Sequence, residues 1–402
     1  MKYFPRVLDI VDEAHALREL NAIGVHSDGV RIMAPKGVFR AVKLSEIKPA
    51  AANIIKQEML SRGGEVAVSH GAINQSIKST DVLIFGTIRQ YCDLVSKLKK
   101  HQFDLPNLAI EIESVLNTQD KNPPPIRFGS GKWTFGKKTY VMGILNVTPD
   151  SFSDGEKFSS VDAAVEHGIR MAGEGAGVID VGGESTRPGA KKVEVKIEVR
   201  RVVPVIKRLS RKIKIPISID TTKSLVARRA LEAGAHIVND VSGLRFDRKI
   251  AKVAADFGAP VIIMHMKGRP RTMQLNPRYE DLIREILEYF VEGIKIAESA
   301  GVKREKIIID PGIGFGKTLD HNLEIIRRLK EFKCLGRPIA IGVSRKSMIG
   351  RVLGLPVNER LEGTAAAVSA SILNGADIVR VHDVAEIKRV ARMTDAITRF
   401  KL

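Results

Sequence analysis

The chain has only two cysteines and one tryptophan in 402 residues, and it lacks any long apolar run. Cys92 and Cys334 are far apart, with no Cys-x-x-Cys and no histidine cluster nearby. That excludes a disulfide scaffold or a thiolate metal site and predicts two reduced, partly buried thiols. Aromatic residues are 5% of the chain and do not interleave with the basic ones, which argues against a base-stacking platform for RNA or DNA. No segment reaches the apolar length of a membrane span. Residues Met1-Lys2-Tyr3-Phe4-Pro5 lack the apolar stretch of a secretory signal. A cytoplasmic protein is expected, with neither membrane nor nucleic acid as partner. No set of residues has zinc-site spacing, and no Ser-His-Asp arrangement or reactive cysteine is evident.

What is present is core-forming material: 44% hydrophobic residues, with charged residues at an ordinary 28%. The net charge of +19 is unevenly placed. The first 126 residues hold 16 basic and 14 acidic side chains, so nearly all the excess falls in the remainder. A basic C-terminal part suits small anionic substrates or is merely a basic surface. The run Asn122-Pro123-Pro124-Pro125 breaks any helix or central strand. We therefore expect a small α/β domain over residues 1–121, of unknown role. Next to it we expect a proline-containing linker and lead-in over 122–137 and a larger domain over 138–402. In the first domain, Val30–Met33, Glu65–Ser69 and Val82–Phe85 read as short apolar runs. Residues 50–60 and 88–99 read as helices. Arg31, Lys36 and Arg40 read as an ordinary solvated face.

From residue 138 the rhythm changes. Strand-like apolar runs fall at 140–145, 177–181, 216–220, 236–240, 260–265, 306–310, 338–343 and 377–381. Helical candidates alternate with them at 160–174, 194–212, 222–233, 247–257, 280–300, 320–331, 361–374 and 385–398. Uniformly apolar strands fit a parallel sheet covered on both faces. The segments Gly175–Asp180, Gly234–Asn239 and Gly375–Arg380 repeat one pattern, a glycine past a helix leading into a strand. Eight such units over about 265 residues predict a (β/α)8 barrel. A doubly wound sheet is the rival, and it requires a reversal of strand order.

A barrel of this kind puts its chemistry at the C-terminal strand ends. Every one of the eight ends is polar here. They offer Asn146; Asp180 and the stretch Gly182–Gly189; Asp220; Asn239; His265; Asp310; Ser344, Arg345 and Lys346; and Arg380 with His382. An acidic or amide residue after a strand often caps the next helix. Capping does not call for lysine, arginine and histidine as well. Asp220, Asn239 and Asp310 supply acceptors suited to an NH–C–NH2 edge of a flat heterocycle, and Lys346 a donor to its carbonyl or ring nitrogen. Arg380, protonated His382 and Asn146 form an opposite set. The first two suit phosphate oxygens and Asn146 offers a hard oxygen to Mg2+. The stretch 182–189 reads as a flap carrying Thr186 and Arg187. The glycine-rich run 310–316 lacks the GxGxxG spacing of a dinucleotide fold.

These residues stand in a telling order. Gly143-Ile-Leu-Asn-Val-Thr-Pro-Asp-Ser-Phe-Ser-Asp-Gly155 is followed by Asp180-Val-Gly-Gly-Glu-Ser-Thr-Arg-Pro-Gly-Ala190. Ser218-Ile-Asp-Thr221, Val238-Asn-Asp-Val241 and Met264-His-Met-Lys-Gly-Arg-Pro270 come next. Asp310-Pro-Gly-Ile-Gly-Phe-Gly-Lys317, Ser344-Arg-Lys-Ser347 and Arg380-Val-His382 complete the set. Together, over nearly all of 138–402, they resemble the dihydropteroate synthases, a pterin-binding TIM-barrel family. The resemblance implies condensation of 7,8-dihydropterin-6-ylmethyl diphosphate with p-aminobenzoate, giving 7,8-dihydropteroate and pyrophosphate in folate biosynthesis. It implies Asp220, Asn239, Asp310 and Lys346 on the pterin, and Asn146, Arg380 and His382 on the diphosphate, with Asn146 near Mg2+. Thr186, Arg187 and Ser344 would shape the aminobenzoate pocket. Asp180, Thr186, Arg187 and Lys346 are the catalytic candidates. The family's habit implies a homodimer through barrel helices.

Glu156 stands where the family often has a second glycine, and the first 120 residues have no counterpart in the minimal enzyme. Two variations stay open: the same condensation with a ribosylated aminobenzene, and a methyltetrahydrofolate-dependent methyltransferase on the same barrel. A binding protein without catalysis is a third class, which pyrophosphate release would exclude.

Overall fold

The structure is a computed structural model that describes all residues except 1–2, 103, 130, 149–159, 186–191, 271 and 400–402. It divides into two compact units, Met1–Asp120 and Lys121–Leu402.

In the first unit, β1 (Phe39–Ile47), β2 (Glu65–Val68) and β3 (Thr80–Thr87) form an antiparallel sheet in the order β1-β3-β2. Central β3 alternates in burial, and its inward Val82 and Ile84 pack with Ile55, Met59, Tyr91 and Leu94. The expected helices are present as Pro49–Leu60 and Ile88–Leu98, the latter opened by a capping box of Thr87 and Gln90. Val30–Met33 is no strand. It ends the helix Ser27–Met33, in which Val30 is the buried residue. An apolar run of four residues does not separate strand from helix. Arg31 pairs with Asp28 and Arg40 with Asp120, as on an ordinary salted surface.

In the second unit, the proline stretch leads not into a slack tether but into a hairpin, β4 (Ile126–Phe128) paired with β5 (Gly131–Trp133). Its side chains Phe128 and Trp133 meet edge to face at 5.2 Å and, with Phe135 and Tyr140, form an aromatic floor beneath the larger sheet.

Eight parallel strands come next: β6 (Tyr140–Asn146), β7 (Val178–Gly182), β8 (Ile217–Asp220), β9 (Ile237–Asp240), β10 (Val261–Met264), β11 (Ile307–Asp310), β12 (Ala340–Ile341) and β13 (Ile378–Val381). Each pairs with its sequence neighbour, and β13 pairs with β6. A parallel bridge, Ile309 to Ile339, joins β11 to the start of the β12 segment and closes the ring. The strand order never reverses, which excludes the doubly wound sheet. The join at β12 is thin. It has two ladder residues, and the Asp377 carboxylate takes the Ile339 N–H at 3.0 Å where a neighbouring strand would otherwise serve. Gly175, Gly234 and Gly375 all have φ near +100°, which explains the glycine repeat at the helix ends.

The pleat sorts each strand. Val178, Ile237, Ile262, Ile308, Ala340 and Ile378 fill the lower barrel interior with the floor aromatics. Ile179, Ile217, Val238, Ile309 and Val379 point outward into the helix layer. Two residues beyond each lower interior residue, the same inward face carries Asp180, Asn239, Met264, Asp310, Gly342 and Arg380. A period of two thus raises the polar residues to the rim above an apolar plug.

Candidate active site

At the rim Asp180, Asp220, Asn239 and Arg380 touch. Arg380 donates from Nε to Asp180 Oδ2 at 2.7 Å and from Nη2 to Asp220 Oδ2 at 2.8 Å. Asn239 Nδ2 donates to the same Asp180 oxygen at 3.0 Å. Asp180 is completely buried, and its other oxygen, Oδ1, is a buried acceptor with no hydrogen-bond donor among the described residues. Asn146, at the end of β6, lies beside this group: a Cβ on Gly182 would be 3.8 Å from Asn146 Oδ1 and 3.6 Å from Asp220 Cβ. Arg380 was expected to stand opposite the acids; it bridges two of them instead, because inward acids on β7 and β8 need a buried counter-charge.

Burial sets the electrostatics. It raises the Asp220 carboxyl to about 7; Arg380 opposes the rise and Asp180 adds to it. Burial raises Asp310 to about 6 against the Gly312 N–H, donated at 2.7 Å, and the cations Lys346, Arg380 and Lys317. His382 is lowered to about 4 by burial and then by Arg380 and Arg345. It is therefore neutral near pH 7, not the imidazolium expected from sequence, and acts as a hydrogen-bonding ring. Its Nδ1 lies 3.1 Å from Ser344 Oγ.

Lys346 Nζ sits 4.4 Å over the Phe315 ring. Phe315 joins Met264, Met266, Met273 and Val241 in an apolar cluster at the mouth, the flank a flat ring would lie against. Sequence reading of charged residues missed this flank. The glycine run also finds its reason here. Gly312, Gly314 and Gly316 have positive φ, and a Cβ on Gly312 or Gly316 would lie 2.0 Å from His265 O or 2.2 Å from Lys267 O. The run presses backbone against the loop after β10. Below it, Lys317 Nζ is buried 2.8 Å from His265 Nδ1, with burial holding both groups well below their usual values.

A second cluster was also missed. Glu198, fully buried, accepts from Thr221 Oγ1 at 2.7 Å and contacts Lys223, which donates to Glu184 at 2.6 Å. Its sequence signal is a carboxylate on the stripe Val195, Val202, Val205 and Leu209 of an amphipathic helix. Thr186 and Arg187 lie outside the described residues, as does most of the first loop. Among the described residues no group of three His, Cys, Asp or Glu could hold a metal ion. No described helix is long and apolar enough to cross a membrane.

Residues 142–382 match the family model described as pterin binding enzyme. A dihydropteroate synthase of Synechocystis sp. is 49% identical over 281 residues, 70% of this chain and 97% of that protein. A probable bifunctional folylpolyglutamate synthase/dihydropteroate synthase of Halobacterium salinarum is 42% identical over 389 residues. That alignment takes in 97% of this chain, first unit included, and 46% of the relative. The solved dihydropteroate synthase of Xanthomonas albilineans with 4-aminobenzoic acid superposes with a TM-score of 0.65 at 41% identity, over 70% of this chain and all of that one. With the rim geometry and these likenesses in agreement, the chain belongs to the dihydropteroate synthase family of pterin-binding enzymes.

Proposed function

We propose that the rim cup joins a dihydropterin bearing a methylene diphosphate to p-aminobenzoate, releasing pyrophosphate. One observation carries the reading: Asp180, Asp220, Asn239 and Asp310, from four strands, gather in one buried mouth with an apolar flank. The buried Asp220 and Asp310 carboxyls, raised by burial, want N–H donors, and the amidine-like edge of a pterin supplies them in parallel pairs. Asp180 Oδ1, which has no donor among the described residues, can take one more. Lys346, over Phe315, serves the ring's acceptor side.

The amine lone pair forms the new C–N bond at the exocyclic methylene as the C–O bond to diphosphate breaks. The amine then sheds its proton to solvent. A neutral arylamine needs no strong base, consistent with the absence of a catalytic dyad among the described residues. The acids stabilise positive charge that spreads into the dihydropterin ring. His382 and Ser344 offer hydrogen bonds to the leaving oxygens. Arg380 serves them only to the extent that the pterin relieves Asp180 and Asp220 of it. Thr186, Arg187 and Ser344 shape the arylamine pocket.

Asn146 contributes one hard oxygen beside Asp220, and among the described residues no protein cage surrounds it. That donor set fits Mg2+ carried on the diphosphate rather than a resident ion. When bound there, the ion would neutralise charge on the departing group. Pairing with a second copy is supported by an apolar hollow between the last two helices, where Leu373, Met393 and Ile397 stand exposed.

The test is pyrophosphate release with the pterin diphosphate and p-aminobenzoate, run beside a ribosylated aminobenzene. We expect turnover with the first amine and loss of pterin affinity in Lys346→Ala and Asp310→Asn. Preference for the ribosylated amine, or normal kinetics in both variants, would overturn the assignment.

A further inference from the structure

We propose that Lys223, bridging Glu184 and Glu198, is a positioning residue for the arylamine: it ties both feet of the second βα loop to the strand end that carries Asp220. This rests on the reading that Thr186 and Arg187 of that loop serve the arylamine pocket.

The connection is continuous. Glu184 Oε1 accepts the backbone N–H of Val193 at 2.8 Å, so one carboxylate links the two residues that bracket 185–192. Gly183 O is held in turn by Arg201 at 2.8 Å. The other Glu184 oxygen, Oε2, takes the Lys223 ammonium at 2.6 Å. Lys223 also meets Glu198 Oε2, and Glu198 Oε1 takes the Thr221 hydroxyl at 2.7 Å. Thr221 follows Asp220 directly, and its N–H donates to Asn239 O at 3.1 Å. The chain of contacts thus runs from the loop's feet to two residues of the pterin seat.

Chemistry favours a positioning role over simple stabilisation. Two carboxylates share one ammonium, and Glu198 has no exposed surface. A pair kept only for stability is readily replaced by apolar packing. A buried charge triad that reaches a loop at one end and a substrate seat at the other fixes geometry instead. Lysine suits the place because a compact ammonium can donate in two directions, where a planar guanidinium fixes its donors in one plane.

The experiment uses the full chain. Initial rates are taken with p-aminobenzoate varied at saturating pterin diphosphate, and pterin diphosphate binding is measured by calorimetry, for Lys223→Met, Glu184→Gln, Lys223→Arg and Arg187→Ala. Displaced loop feet should raise the arylamine KM about tenfold in Lys223→Met and less in Glu184→Gln, with pterin diphosphate affinity held within about twofold. Lys223→Arg should recover part of the loss. A raised arylamine KM in Arg187→Ala beside an unchanged one in Lys223→Met overturns the proposal alone. So does a loss of pterin affinity in Lys223→Met as large as the change in KM. An unchanged KM in Arg187→Ala sinks the reading of that loop and this proposal with it. If Lys223→Met does not fold, an unchanged KM in Glu184→Gln is the overturning result.

Discussion

Replacing Arg380 with methionine removes the guanidinium that contacts both Asp180 and Asp220. Losing one partner of a buried ion pair costs about 3–5 kcal/mol. Arg380 keeps 21% of its side chain exposed, so screening places the loss near the lower end, about 3 kcal/mol. The cost must depend on pH. Asp220 titrates near 7 in the fold against an ordinary 3.8. Between those values the folded state holds more protons than the unfolded chain, so this group lowers stability as pH rises through the window. Arg380 limits that loss by favouring the ionised carboxylate. Without it the Asp220 value climbs further and the high-pH penalty grows. At pH 6 Asp220 is largely protonated in either protein, and the variant forfeits chiefly its contact with Asp180. We expect a cost of about 3 kcal/mol at pH 8.5 and about half of that at pH 6. Urea unfolding followed by fluorescence measures it. Trp133 is the only tryptophan and lies buried in the barrel floor, so the signal reports the second unit. Equal costs at the two pH values, or a larger one at pH 6, would refute the argument.

Two further substitutions probe the frame. Gly312→Ala meets both a positive φ and a backbone oxygen at 2.0 Å, and should lower stability by more than about 2 kcal/mol; Gly258→Ala, with φ +60 but only Lys306 Nζ at 3.6 Å, should cost about 1 kcal/mol. Thermal midpoints of the two variants test the contrast. Trp133→Ala empties the floor at the far end of the strands from the acids. It should cost about 3–5 kcal/mol in urea unfolding while leaving both substrate KM values unchanged; a shift in KM would show that floor and rim are coupled.

Much of the barrel was legible because its strands alternate with helices at regular spacing and its helix ends repeat one glycine. The same regularity made Asp180, Asp220, Asn239, Asp310 and Arg380 readable as rim residues. What a set of strand ends does not carry is who pairs with whom. Arg380 reads as a phosphate ligand by type, yet inward acids on β7 and β8 claim it. His382 reads as a cation by type, yet burial beside two guanidiniums keeps it neutral. Glu198 hid because it lies inside a helix rather than at a strand end. The hairpin at 126–133 hid because its strands have three residues each, shorter than any periodic signal. In the first unit, β1 was overlooked since its burial pattern is irregular: Val42 is its one buried residue.

The slender seventh strand has a consequence for how the cup behaves. Ser344 and Lys346 ride just past the least firmly stitched part of the ring, whereas Asp180 and Asp220 stand on staves bonded along both sides. A ligand gripped by both groups would act as a hoop around loosely joined wood: filling the cup should draw the slack stave in, so that the cargo itself completes the vessel.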